Sequence, residues 1–267
     1  MRTLTPPTAP TVDPLFLTRC RQAVVESVVE RRSGHLCSSL SALDILATFA
    51  WSHWDHDTCR LGSELVLSKG HAAPALYAVL AELDPSLPRL AGNLRRLGSP
   101  FEGHPTRYAM DHVLVSTGSL GLGLAWSVGR ALAARRLRDP LAMTVVVSDA
   151  ELQCGVAYEA LRLASCEGLE GLTVVVDHNG WQTDRQVPDR PADLLSALGF
   201  TVVVVNGHDH DALLRAYSVE SPKKPLAVLA ETRRCFGLGP PYESGPEIYG
   251  EAIDDDIAST LRAMVGT

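Results

Sequence analysis

The chain is poor in lysine. Of its 24 basic residues only Lys69, Lys223 and Lys224 are lysine, and 31 acidic residues leave a formal net charge of -7. A protein that grips nucleic acid gathers Lys and Arg into patches that neutralise phosphates, so this balance excludes nucleic acid as the main partner. Any phosphate on a ligand would have to be held locally, by metal and backbone. Long apolar runs are missing too: no stretch approaches the ~20 apolar residues of a membrane span, and the opening MRTLTPPTAPTVDP has no apolar signal core. Membrane insertion and export are therefore not expected. The six cysteines, Cys20, Cys37, Cys59, Cys154, Cys166 and Cys235, include no CxxC pair and no short spacing to histidine. Neither a zinc site nor a disulfide framework is indicated, and reduced thiols in a cytoplasm are expected.

What remains is a composition that can bury one large core: 267 residues, 46% hydrophobic and 21% charged. After a Pro/Thr-rich lead over 1–13, expected to be flexible, apolar residues at three- and four-residue spacing predict a helix over 14–32. A second helix is expected from Ser41, read as its N-cap, and Leu65–Ser68 as a short strand before Gly70-His71 and another helix. Residues 88–112 are polar, bear glycine and proline, and read as a long loop, a feature that is usually functional. A glycine-rich helix over 119–137 follows. Strands at 143–147, 172–177, 201–205 and 226–231 then alternate with helices at 155–166, 191–198 and 209–219. That alternation predicts an α/β fold, a parallel sheet flanked by helices on both faces, in one domain over 14–267. Ligands of such sheets sit beyond the carboxyl ends of the strands, where Ser148-Asp149, His178-Asn179 and Asn206-Gly207-His208 would share one edge.

Asp149 and Asn179 stand at or just past the ends of two apolar strands, one βαβ unit apart. Both side-chain oxygens can then face one point. A hard divalent cation such as Mg2+ takes a few protein oxygens and leaves the rest of its octahedron to water and phosphate. One carboxylate, one amide and a backbone carbonyl near Trp181 would suit it, and a helix opening after Glu151 would aim free N–H groups at a diphosphate. The alternative is an ordinary βα junction, with Asp149 capping a helix and Asn179 turning the chain with Gly180.

The stretch SDAELQCG…VVDHNGWQ resembles the thiamine-diphosphate motif of transketolases. SGHLCSSLSALDIL, VLSKGHAAPALYAVL, FEGHP, STGSLGLGL and NGHDHDAL resemble, in the same order, the amino-terminal half of that family, over roughly residues 30 to 250. The resemblance implies thiamine diphosphate and Mg2+ as cofactors. Asp149, Asn179 and the backbone of Trp181 would hold the metal, and Ala150 and Glu151 would lie by the diphosphate. His71 would reach the phosphate end, while Gly118 and Leu120 would sit against the cofactor rings. His35 and His104 would line a substrate funnel, where an imidazole suits proton relay because its pKa lies near neutrality. His53, His56, His112 and His210 lack such context and read as surface or structural residues.

Members of ordinary length also carry a pyrimidine-binding domain. The resemblance covers only the diphosphate-binding half, which implies a split, heterotetrameric enzyme whose pyrimidine domain lies on a separate C-terminal subunit, with helix faces around 119–133 as candidate interface. The expected activity is transfer of a two-carbon ketol unit from a ketose or ketose phosphate to an aldehyde or related acceptor, in a specialised biosynthetic pathway. Two alternatives stand beside it: a 2-oxoacid-dehydrogenase-like subunit delivering the unit to a carrier protein, and a non-catalytic subunit that regulates a partner. Departures from the family pattern motivate the last. Serine replaces glycine at 148, cysteine replaces glutamate at 154 and glycine at 37, and Tyr249 stands where a histidine is expected. A phenol donates a hydrogen bond but accepts a proton poorly at neutral pH, its reference pKa being about 10.

Overall fold

Helix α1, Pro14–Arg31, opens at Asp13, whose carboxylate accepts from the Leu15 amide, while Pro14 fixes φ in the first turn. Its buried positions Phe16, Cys20, Val24, Val25 and Val28 recur at helical spacing, and it ends at Arg32 with φ 47°. The structure, a computed structural model, describes residues 11–139, 141–182, 185–186, 190–240, 242–243 and 245–266. Most of the expected N-terminal lead lies outside these residues; of its last ones, Val12 is buried in the core and Asp13 is the cap.

Helix α2, Leu36–His53, starts five residues before the expected cap at Ser41, which lies inside it and is buried. The reason is tertiary. His35, the actual cap, makes no side-chain cap bond. Instead the Leu36 amide donates to the Ile248 carbonyl, and those of Cys37 and Ser38 donate to the Glu247 carboxylate.

The hairpin of β1, Trp54–Asp55, and β2, Arg60–Leu61, leads to β3, Glu64–Leu67, and helix α3, Ala73–Leu83. Residues 84–121 then contain turns only. They are held down by their own buried side chains, Leu90, Leu94, Phe101, Met110 and Val113. Next come α4, Leu122–Leu137; β4, Met143–Ser148; α5, Gly155–Cys166; and β5, Leu172–His178. The short hairpin of β6, Trp181–Gln182, and β7, Arg185–Gln186, is followed by α6, Pro191–Ala197; β8, Thr201–Asn206; α7, His210–Tyr217; β9, Leu226–Glu231; and α8, Asp255–Val265.

The main sheet runs β3-β4-β5-β9-β8, and every neighbouring pair is parallel. Alternate residues of each strand enter opposite cores, as the period of two requires. Val146, Val175 and Val228 join a cluster with α1, α2, α3, α7 and α8. Val145, Val147, Val174 and Val176 join one with α4, α5 and α6. The expected α/β sheet covered on both faces is therefore what forms, and all strands end on one edge.

One expectation about the cysteines fails at this level. Cys37 is disulfide-bonded to Cys235, 198 residues away, whereas Cys20, Cys59, Cys154 and Cys166 are free thiols. Sequence spacing could not show this, because topology brings the end of β9 beside the start of α2. The helix expected after Glu151 opens at Gly155 as α5, and it is preceded by a 3-10 turn, Ala150–Gln153. There the Ala150 amide donates to the Asp149 carboxylate, that of Glu151 to the Ser148 hydroxyl, and that of Leu152 to the Asp149 carbonyl. No helix among the described residues is long and apolar enough to cross a membrane.

Candidate functional site

Strands β4 and β5 are in register to their ends, with Ser148 opposite Asp177. The chain leaves both at the carboxyl edge, so Asp149 and the His178-Asn179-Gly180 turn meet there. The Asp149 side chain is fully buried. Its Oδ1 accepts from the Ala150 amide at 2.8 Å, and its Oδ2 accepts from the Gly180 amide at 2.7 Å and contacts His178 Nδ1 at 3.0 Å. The hydrogen bond to Asp149 raises the His178 pKa. Asn179 Oδ1 accepts from the Trp181 amide, and its Nδ2 donates to Ser41 Oγ. Asp149 thus ties two strand ends together and Asn179 sets the turn, as the ordinary βα reading says.

Beneath lies an ion pair. Lys69 Nζ is 2.6 Å from Asp177 Oδ2, with the two side chains 1% and 0% exposed. Ser41 donates to the same Asp177 oxygen at 2.7 Å, Lys69 also reaches Ser41 Oγ at 3.1 Å, and Thr232 donates to Asp177 Oδ1. One carboxylate therefore joins the ends of β3, β5 and β9 to α2.

Above this layer is a cavity of about 480 Å³, within the size range of small-molecule sites. Of the residues singled out from the sequence, His35, His71, Gly118, Leu120, Ala150, Asn179, Trp181 and Tyr249 line it. The His35 ring is 5.1 Å from that of His71 and meets Tyr249 edge-on at 5.0 Å, the latter contact fixed by a backbone bridge. Burial lowers the pKa of His35, and that of His71 much further. His104 does not reach the lining, but it backs it: Gly118 has φ 138°, and a Cβ there would stand 2.9 Å from His104 Cδ2. Only glycine fits. Burial and Arg95 lower the His104 pKa as well. Asp149 is covered, and Glu151 lies behind the wall, 0% exposed. Glu151 accepts from the Ser68 hydroxyl, the Gly121 amide and the Ser148 amide, and burial raises its pKa.

Sequence reasoning assigned no role to Lys69, Ser38, Arg234 and Glu247, all of which line the cavity. Lys69 had a signal, as one of three lysines and part of the SKGH stretch. Glu247 had none, because the helix amides and hydroxyl it accepts from, those of Cys37 and Ser38, are 210 and 209 residues away. His208 shares the sheet edge but turns from the cavity: its Nδ1 is 2.7 Å from Asp44 Oδ2, and its ring stacks on Phe236.

Comparison with known families matches residues 13–267 to the thiamine diphosphate binding domain of transketolase. The chain belongs to the transketolase family. It is 32% identical to transketolase-like protein 2 of Bos taurus over 272 residues, covering 93% of this chain and 42% of that one. It thus spans about two fifths of the length of that relative. It is 30% identical to one subunit of the apulose-4-phosphate transketolase of Phocaeicola vulgatus, covering 84% of this chain and 83% of that subunit. Among solved structures, a transketolase from Campylobacter jejuni superposes with TM-score 0.80 at 26% identity, over 95% of this chain and 43% of that one. The cavity of this transketolase-family domain therefore opens at the carboxyl edge of a thiamine-diphosphate-binding fold.

Proposed function

We propose that the chain is the diphosphate-binding subunit of a split transketolase-like enzyme, which with a separate pyrimidine-domain subunit transfers a two-carbon ketol unit from a ketose to an aldehyde. The observation that carries the reading is the convergence of Asn179, Trp181, His71, His35 and Tyr249 on one strand-end cavity, with Asp149 buried beside Asn179 and bonded to the Gly180 amide of the same turn. The Phocaeicola relative, which is of matching length and is named as one subunit of its enzyme, supports the split arrangement.

The donors fit the implied cofactors. A carboxylate, an amide and a peptide carbonyl are hard oxygen ligands, and the described residues hold no cluster of three His, Cys, Asp or Glu that would bind a metal unaided. Mg2+ held by Asp149, Asn179 and the Trp181 carbonyl would need diphosphate oxygens to complete its shell. Thiamine diphosphate supplies, when bound, the nucleophilic carbon that carries the ketol unit. The chain supplies the rest. Gly118 and Leu120 line the place for the cofactor rings, Gly118 leaving room for His104 behind it and Leu120 presenting an apolar face. His35, His71 and His104 are neutral at pH 7 and can accept protons, while Tyr249 donates a hydrogen bond to a substrate oxygen.

Calorimetric titration with thiamine diphosphate and Mg2+, with and without the partner subunit, tests this. Binding that requires Mg2+ and disappears in Asp149→Ala is expected, together with ketose consumption once the partner is added. Absence of binding in both formats, with Asp149→Ala indistinguishable from wild type, would leave a non-catalytic role.

A further inference from the structure

Every cationic side chain lining the cavity already faces a buried carboxylate of its own chain. Lys69 is paired with Asp177, and Arg234 NH2 lies 3.5 Å from Glu247 Oε2, with both of those side chains under 5% exposed. The second pair is unusual in where it sits. Glu247 Oε1 accepts from the Cys37 amide at 2.7 Å, and Oε2 accepts from the Ser38 amide at 3.1 Å and from the Ser38 hydroxyl. Two helix N–H groups, a hydroxyl and a guanidinium thus converge on one carboxylate at the cavity wall. Without that carboxylate, the same four donors at the start of an 18-residue helix would form an anion site. Next to it stand His35 and Tyr249, groups suited to hydroxyls.

We propose that Glu247 is a specificity-determining residue: its carboxylate fills the anion-receptive place at the start of α2, so this wall takes the neutral, hydroxylated end of a substrate and rejects a carboxylate or phosphate. The inference rests on the transfer activity proposed above for its substrate, but not for its physical content. An incoming anion would meet Glu247 at the donors it needs, and like charges brought together there are strongly unfavourable. Ser38 gives its proton to the bond with Glu247, so toward the cavity it offers an acceptor, which a hydroxyl satisfies and an anion does not.

Two measurements decide it. The chain alone is titrated with inorganic phosphate by calorimetry, as wild type, Glu247→Gln and Glu247→Ala. Separately, the enzyme reconstituted with its partner is assayed with glycolaldehyde and with glyoxylate as acceptor. Wild type should show no phosphate site in this wall, Glu247→Ala should gain one, and Arg234→Met added to Glu247→Ala should weaken it. In the assay, Glu247→Gln, which keeps volume and one acceptor oxygen, should lower the preference for glycolaldehyde over glyoxylate by about tenfold or more. A purely structural role would lower both acceptors together. Equal losses on both acceptors, or no phosphate binding in folded Glu247→Ala, overturn the proposal. If no transferase activity appears with any partner, the transfer reading fails and the phosphate titration still decides the role of Glu247.

Discussion

Replacing Lys69 by methionine is the most informative single change to the site's foundation. The substitution keeps an unbranched apolar stem of similar length but removes the ammonium 2.6 Å from Asp177 Oδ2. Asp177 is 0% exposed and, among the described residues, would keep only the hydroxyls of Ser41 and Thr232 as side-chain donors. Breaking a buried pair by removing one partner costs about 3–5 kcal/mol, because the remaining charge is stranded away from water. That is a large part of the ~5–15 kcal/mol by which a domain is stable. With a urea m-value of about 3 kcal/mol/M, the unfolding midpoint should fall by about 1–1.7 M. Lys69→Met combined with Asp177→Asn removes both charges and should recover most of the loss, since replacing a buried pair by neutral groups often changes stability little. Urea titrations followed by far-UV circular dichroism give all three midpoints. If Lys69→Met shifts the midpoint by less than about 0.3 M, or if the double variant is no better than the single, the pair is not the buried ionic tie described here.

Two further outcomes follow from the same geometry. His35, His71 and His104 all have folded-state pKa values below the ordinary histidine value, chiefly through burial. The unfolded chain then takes up protons first, so the stability linked to these groups is complete above about pH 6.5 and is lost as the pH falls below it. Melting temperature should drop on acidification from about pH 7.5 to 5.5 and drop less steeply in His71→Gln; identical profiles would refute the assignment. Reduction of the Cys37–Cys235 bond, which closes a loop spanning a separation of 198 residues, removes a constraint worth up to about 5 kcal/mol in the chain-entropy account. Dithiothreitol should therefore lower the wild-type melting temperature and leave a Cys37→Ser, Cys235→Ser double variant unmoved; equal responses would show that the cross-link does not form in solution.

How much of this could be read from the sequence depended on how far apart the interacting residues lie. The strand at 226–231 and the helix at 155–166 were legible to the residue because period and punctuation are local signals. Asp149 and Asn179 were legible as neighbours because one βαβ unit separates them. The start of α2 was misread because its cap is supplied by Glu247 and Ile248, near the other end of the chain. The disulfide was missed for the same reason. Lys69 stood inside a motif-bearing stretch, yet a lysine reads as a surface residue until its carboxylate partner, 108 positions away, is seen.

The NGHDHDAL stretch shows the converse limit, since its histidines lie on the right edge and still stay out of the cavity. His208 and His210 both approach Asp44, at 2.7 Å and 3.8 Å, and Arg21 reaches the same carboxylate at 3.3 Å. Asp44, in the middle of α2, is 1% exposed, so this second buried carboxylate ties α1 and the β8–α7 turn to the helix that also carries Ser38 and Ser41. Asp177 and Asp44 anchor α2 at successive levels, and Glu247 holds its first turn. A helix fixed at three points presents Ser38 and the adjoining His35 to the cavity with little freedom to move. The wall carrying the proposed specificity is therefore built from a helix anchored at three points rather than from the long loop at 84–121, and substitutions at Asp44 should alter the substrate side without touching a ligand.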